Sequence, residues 1–254
     1  MNRSDALTLG GAISGTGAVT QSGSGTTSLT GANTYTGGTT ITSGTLQLGN
    51  GGTSGSISGN ITNNATLAVN RSDAVTLGSA IGGTGVVTQV GTGTTSLTGA
   101  NTYTGGTTIT AGTLQLGNGG TSGSITGNIT NNARLALNRS DAVTLGGVIG
   151  GSGAVTHSDT GTTTLTGANT YTGGTTIAAG TLRLGSGGTS GSLTGNVVNH
   201  GTLAWNRSDT VAFAGAIIGT GAVVKEGSGT LTLAGTNTYT GGHDRERRRL
   251  GGGG

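Results

Sequence analysis

The tetrapeptide Asn-Arg-Ser-Asp begins at Asn2, Asn70, Asn138 and Asn206, so the chain repeats with a fixed period of 68 positions, and the text between these marks recurs without insertion or deletion. The first two copies differ at ten of 68 positions. A fixed period of this length constrains the fold more than overall length does, because like units stack and bury an apolar face that none could bury alone. The copies occupy residues 2–69, 70–137, 138–205 and a truncated 206–242, giving a repeat region of residues 1–242. Residues 243–254 leave the repeat and are expected to form a disordered tail.

With 58 glycines, no cysteine and 2% aromatic residues, a core of large side chains is excluded, and so are disulfides, thiol catalysis and thiolate metal sites. Disorder across the repeats is disfavoured, since only 7% of residues are charged and threonine, valine and isoleucine are abundant. The basic character sits in the tail. Arg245, Arg247, Arg248 and Arg249 supply four of eleven basic residues, and Asp244 and Glu246 two of eight acidic ones, leaving seven against six in the repeats. No basic stripe for phosphates remains, and no nucleic-acid partner is expected.

Short alternating segments such as Gly44-Thr-Leu-Gln-Leu-Gly49 and Asn64-Ala-Thr-Leu-Ala-Val69 carry the period-2 pattern of half-buried strands. The pairs Thr27/Leu29, Leu46/Leu48 and Leu67/Val69 divide each copy at intervals of 19, 21 and 28 in sequence number, the last reaching Thr95, which are lengths of solenoid coils. The expected fold is all-β: a parallel β-helix of about three coils per repeat. About eleven coils stacked at about 4.8 Å would extend roughly 50 Å. Leu29, Ile41, Leu46, Leu48, Ile61 and Leu67 are expected to point inward. The columns Leu9, Leu77, Leu145 and Phe213, and Met1, Val69, Leu137 and Trp205, stay apolar across copies as inward positions do. Gln21, Gln89, His157 and Lys225 form a column that drifts among polar types and is expected to face solvent.

The run Thr30-Gly-Ala-Asn-Thr-Tyr-Thr-Gly-Gly-Thr-Thr-Ile41, followed by Ser43-Gly-Thr-Leu-Gln-Leu48, resembles the passenger-associated transport repeat, also called the autotransporter-associated β-strand repeat. It recurs at 98–116 and 166–184 and begins a fourth time at Ala234. The resemblance implies a right-handed parallel β-helix in the passenger domain of a Gram-negative type V secretion system, located at the cell surface or secreted through the outer membrane. The implied role is assistance to translocation or folding, or service as a surface stalk, with a C-terminal outer-membrane β-barrel as partner in a full-length parent. These residues show neither a leader peptide nor the aromatic girdles of such a barrel, so the chain is expected to be a passenger fragment. An adhesin-like or carbohydrate-binding solenoid is the alternative.

Several residues are candidates for chemistry. His157, Asp159 and His200 each replace Gln, Gly or Asn in a single copy, the pattern of surface drift, so no catalytic residue is assigned and an enzyme is not expected. Arg3/Asp5, Arg71/Asp73, Arg139/Asp141 and Arg207/Asp209 form the periodic charges and read as polar corners carrying exposed ion pairs. The runs Gly49-Asn-Gly-Gly52 and Gly117-Asn-Gly-Gly120 are similar to the turns of calcium-binding β-rolls but lack aspartate, so no calcium or other metal site is expected. Triplets such as Gly15-Thr-Gly17 are not dinucleotide fingerprints, and no cofactor is expected. Tyr35, Tyr103, Tyr171 and Tyr239 share one phase. They either pack over a coil corner or present a ligand-facing aromatic ladder to host or surface glycans.

Both ends of the chain carry a further expectation. Met1 stands where other copies carry Val69, Leu137 and Trp205, as an internal codon read as a start would. Codons for His243–Leu250, moved by one base, can spell Thr-Thr-Val-Ser-Ala-Gly-Ala-Leu, close to the repeat text, so the tail is expected to be a frameshift of the fourth copy. Resequencing checks this: repeat text is expected in the neighbouring frame, and a frame without it refutes the reading.

Overall fold

The computed structural model describes residues 1–245, which form 28 short strands joined by turns. Pairing between neighbouring strands is parallel throughout, as in a solenoid of about eleven coils. Among the described residues no helix is long and apolar enough to cross a membrane.

The strands form because β-branched and leucine side chains alternate over short runs, with glycines in the tight turns between them. Gly44, just before Thr45–Leu48, illustrates such a turn. Its φ is +64°, and a Cβ there would lie 2.4 Å from the carbonyl oxygens of both Gly23 and Gly25 in the preceding coil, so no other residue fits.

Every coil contributes one segment to each of three walls. The first wall runs from Leu7–Leu9 through Thr26–Leu29, Thr45–Leu48, Thr66–Val69, Val86–Gln89, Thr107–Ile109 and Ile129–Asn131 to Ile149–Gly150. A second ladder runs from Ala74–Leu77 to Ile217–Ile218. The third wall starts with Val19–Gln21, Thr39–Ile41, Ile61–Asn63 and Ile81–Gly82, and resumes from Ala142–Leu145 to His243–Arg245. Val211–Phe213 and Leu231–Leu233 make a further two-stranded ladder.

Down the first wall the partners of Leu7 are Thr27, Leu46, Leu67, Val87, Thr107, Ile129 and Ile149, which are steps of 20, 19, 21, 20, 20, 22 and 20 in sequence number. The expected longer coil from Leu67 to Thr95 is therefore corrected. Leu67 pairs with Val87, and Thr95 lies one wall further on, beside Val75. At about 20 residues per coil, one repeat makes three and one-third coils. Equivalent residues consequently change walls with each copy: Leu7 pairs within the first wall, Val75 within the second and Val143 within the third. Each repeat rises about 16 Å at the strand spacing and turns by one-third of a revolution.

The six residues expected inside, Leu29, Ile41, Leu46, Leu48, Ile61 and Leu67, are 0–2% exposed. They belong to one continuous core that runs the length of the described chain, and Trp205 meets Phe213 within it at 5.6 Å between ring centres. Of the tail expected to be disordered, His243–Arg245 instead form a strand parallel to Ala222–Lys225, because ladder pairing uses only the backbone. Residues 246–254 lie outside the described residues.

Candidate functional site

The repeated motif occupies the stretch where each copy interrupts a wall. Residues 31–36 form no strand, and the Asn33 side chain replaces the missing ladder. Its Oδ1 accepts from the Ile13 N–H of the preceding coil at 2.9 Å, and its Nδ2 donates to the Ser56 carbonyl of the following coil at 2.8 Å. Ser56 answers by donating its hydroxyl to the Asn33 carbonyl at 2.9 Å. Asn101 repeats the bridge between Ile81 and Ser124, and Asn169 between Ile149 and Ser192. Asn237 keeps the first half, accepting from Ile217 N–H at 2.9 Å, and turns its Nδ2 to Gly235. One side chain thus fastens three coils.

The tyrosine two residues later fills the core beneath this interruption. Tyr35, Tyr103 and Tyr171 are 0–1% exposed, each with its hydroxyl 2.6–2.7 Å from a buried threonine Oγ1, on Thr39, Thr107 and Thr175. Burial pushes the phenols of Tyr103 and Tyr171 up to about 12 and raises that of Tyr35. The ligand-facing ladder is corrected at these three positions, since a ring sealed inside the solenoid offers no face to a sugar. Tyr239, in the last coils, is half-buried and packs against the same core.

The column expected to face solvent is also corrected. Gln21, Gln89 and His157 are 0–1% exposed and Lys225 is half-buried. Gln21 Nε2 donates to the carbonyls of Gly23 and Gly25 at 2.9 and 3.2 Å, and its Oε1 accepts from Thr27 Oγ1 at 2.7 Å. Gln89 does the same with Gly91, Gly93 and Thr95. His157 Nε2 meets the Gly161 carbonyl at 3.1 Å with Thr163 Oγ1 3.4 Å from Nδ1, and Lys225 Nζ donates to the Gly227 carbonyl. Gln, His and Lys share a donor long enough to reach these inward-turned carbonyls, which explains their interchange at one buried position.

Within this column His157 stacks between Leu137 and Ile177, with Asp159 as its charged neighbour. Burial lowers its pKa from the ordinary value near 6.5, and the Gly161 hydrogen bond and the Asp159 charge oppose that shift. Neutral in the fold and more basic when unfolded, it contributes stability that is complete above about pH 6.5 and is lost as pH falls toward the lower folded value. His157→Gln, restoring the residue found at Gln89, is expected to reduce the fall in urea midpoint between neutral and mildly acidic buffer. Equal falls in both chains would contradict this origin.

The periodic charges are more enclosed than exposed ion pairs. Arg71, Arg139 and Arg207 have side chains only 11–12% exposed, against 54% for Arg3. Arg71 grips Asp73 through Nε and Nη2 at 2.8 and 2.7 Å, and its Nη1 donates to the Gly55 carbonyl. Arg139 and Arg207 reach back likewise, to Thr121 and Gly123 and to Thr189 and Gly191. Each guanidinium therefore clamps the protruding glycine loop of the previous copy, and hydrogen bonding to it holds the Asp73, Asp141 and Asp209 carboxyls below their usual range.

His200 is exposed, its Nδ1 3.1 Å from Thr220 Oγ1, and Asp159 Oδ1 accepts from the Thr160 N–H. Among the described residues no group of three or more His, Asp or Glu side chains is placed to hold a metal ion.

The family model described as Passenger-associated-transport-repeat matches residues 19–48, 87–116, 155–184 and 223–242. The first three segments contain the Gln-type column, the bridging asparagine, the buried tyrosine and the Thr45–Leu48 strand or their counterparts, and the fourth contains Lys225, Asn237 and the half-buried Tyr239. A stretch of 44 residues, 17% of this chain, is 50% identical to the Adhesin BmaC autotransporter of Brucella suis biovar 1 (strain 1330), and covers 1% of that protein's length. No solved structure matches the chain.

Proposed function

We propose that this chain, which carries segments matching the passenger-associated transport repeat, is part of an autotransporter passenger and acts as a non-enzymatic spacer that assists translocation and folding at the bacterial cell surface. The observation that carries this reading is where the motif spends its polar groups. Asn33 fastens the coil before and the coil after it, and Tyr35, Thr39 and Gln21 point inward, so the motif's chemistry goes into joining coils. A chain emerging through a membrane end-first can add such coils singly, because each finds its partners on the coil beside it.

The test places residues 1–242 between a secretion leader and an outer-membrane barrel. Abundant, protease-resistant chain is expected on the cell surface, and a variant with Asn33, Asn101 and Asn169 changed together to alanine is expected to appear in smaller amount and to be cut readily. Equal display and equal resistance of both would refute the role. Adhesion is a second reading, favoured by the similarity of one stretch to the Brucella adhesin. It locates binding on the outer corners and loops, since the three inner tyrosine rings are sealed.

A further inference from the structure

The loops clamped by arginine carry a reactive dipeptide. Asn50-Gly51 and Asn118-Gly119 are exposed, and around Gly52 and Gly120 a Cβ would meet nothing within 4 Å. Glycine after asparagine leaves its main-chain nitrogen unshielded by a side chain. A glutamine three residues earlier, on the strand that runs into the loop, leans onto each asparagine. Gln115 Nε2 donates to Asn118 Oδ1 at 3.2 Å while also holding Ser96 Oγ and the Gly117 carbonyl, and Gln47 approaches Asn50 Oδ1 at 3.5 Å with the same supports, Ser28 and Gly49. In the third copy both partners change together, to Arg183 and Ser186.

We propose that Asn50 and Asn118 are self-modifying deamidation sites, with Gln47 and Gln115 as the assisting donors. The glycine nitrogen loses its proton to solvent and attacks the asparagine Cγ, a new C–N bond forms and the amide C–N bond breaks, releasing ammonia and leaving a succinimide. Water then opens either imide C–N bond to give aspartate or isoaspartate. As the nitrogen adds, negative charge gathers on Oδ1, the atom each glutamine faces, so the donor stabilises the step that limits the rate. The Gly51 and Gly119 N–H groups donate to the carbonyls of Asn70 and Asn138 at 2.8 and 3.0 Å, and attack must break that bond. Asn118, with the closer glutamine and the longer bond to break, reacts first. Conversion of both lowers the formal net charge from +3 to +1.

The test ages the full folded chain in neutral and mildly alkaline buffer and follows both peptides by mass spectrometry and isoaspartate labelling. Asn60, Asn70 and Asn128, which precede bulkier residues, serve as controls in the same spectra. Conversion confined to Asn50 and Asn118, faster at Asn118, is expected, and N118S should abolish the second signal. Gln115→Ala should slow Asn118 by about threefold to tenfold, the worth of one hydrogen bond, relative to Asn50 in the same molecule. In denaturant that difference should vanish while conversion continues. A folded chain that stays unmodified while the unfolded chain converts would overturn the site, and an unchanged ratio in Gln115→Ala would overturn the assistance.

Discussion

Replacing Tyr103 with alanine is expected to lower the free energy of unfolding by about 3–5 kcal/mol, the cost of emptying a fully buried aromatic site. The ring is 0% exposed inside a core whose other side chains are mostly leucine, isoleucine and valine, so little is available to collapse into the gap. Tyr103→Phe keeps the ring but strands the Thr107 hydroxyl, 3% exposed, and is expected to cost about 1–3 kcal/mol. Tyr239→Ala, at a half-buried position, is expected to cost clearly less than Tyr103→Ala. Urea unfolding followed by circular dichroism measures all three. A Tyr103→Ala chain as stable as its parent would mean that the ring is not part of the core.

Removing a whole repeat and removing a whole coil are expected to have opposite outcomes. Deleting residues 70–137 joins Val69 to Asn138, which begins a copy just as Asn70 does, so strands across the junction meet in a register already present. That chain is shorter by three and one-third coils and should still melt cooperatively. Deleting residues 67–86 takes out one geometric coil, since Leu67 pairs with Val87, yet it discards Arg71 and Asp73 and strips partners from the remainder. Gly55 loses its clamp, Gly51 N–H loses the Asn70 carbonyl, Ile61 N–H loses the Ala80 carbonyl and Asn63 Nδ2 loses the Val86 carbonyl. Several backbone and side-chain groups left wanting at about 1–3 kcal/mol each should lower the melting midpoint by on the order of 10–20 °C, with new protease cleavage in Gly49–Gly55. Equal midpoints for the two deletions would show that the coil, not the repeat, is the unit of stability.

The same mismatch between repeat and coil governs what the outer surface can do. A feature present once per copy, such as the Arg71 clamp, reappears at Arg139 a third of a turn around and about 16 Å along, so identical corners wind about the axis instead of lining one side. Ligands that need a straight row of equivalent residues find none in the clamps. A multivalent partner would meet them in three directions.

The sequence by itself determined the class of fold and its apolar interior. Alternation in segments such as Thr45–Leu48, with the drift of Leu9, Leu77, Leu145 and Phe213 among apolar types, follows from strand geometry alone, because successive side chains must take opposite faces and the inner one must exclude water. The motif at Thr30–Leu48 was likewise legible as passenger-associated transport repeat text without coordinates. Tertiary structure decided which polar residues join that interior. Gln21, His157 and Asn33 look like surface residues in a linear text, and they are buried because corner carbonyls and interrupted walls turn unpaired backbone groups inward that only a side-chain donor or acceptor can satisfy. It also decided the three-and-one-third-coil step, since coil length is set by how strands close around a core, a relation between partners such as Leu67 and Val87 that the longer sequence period does not encode.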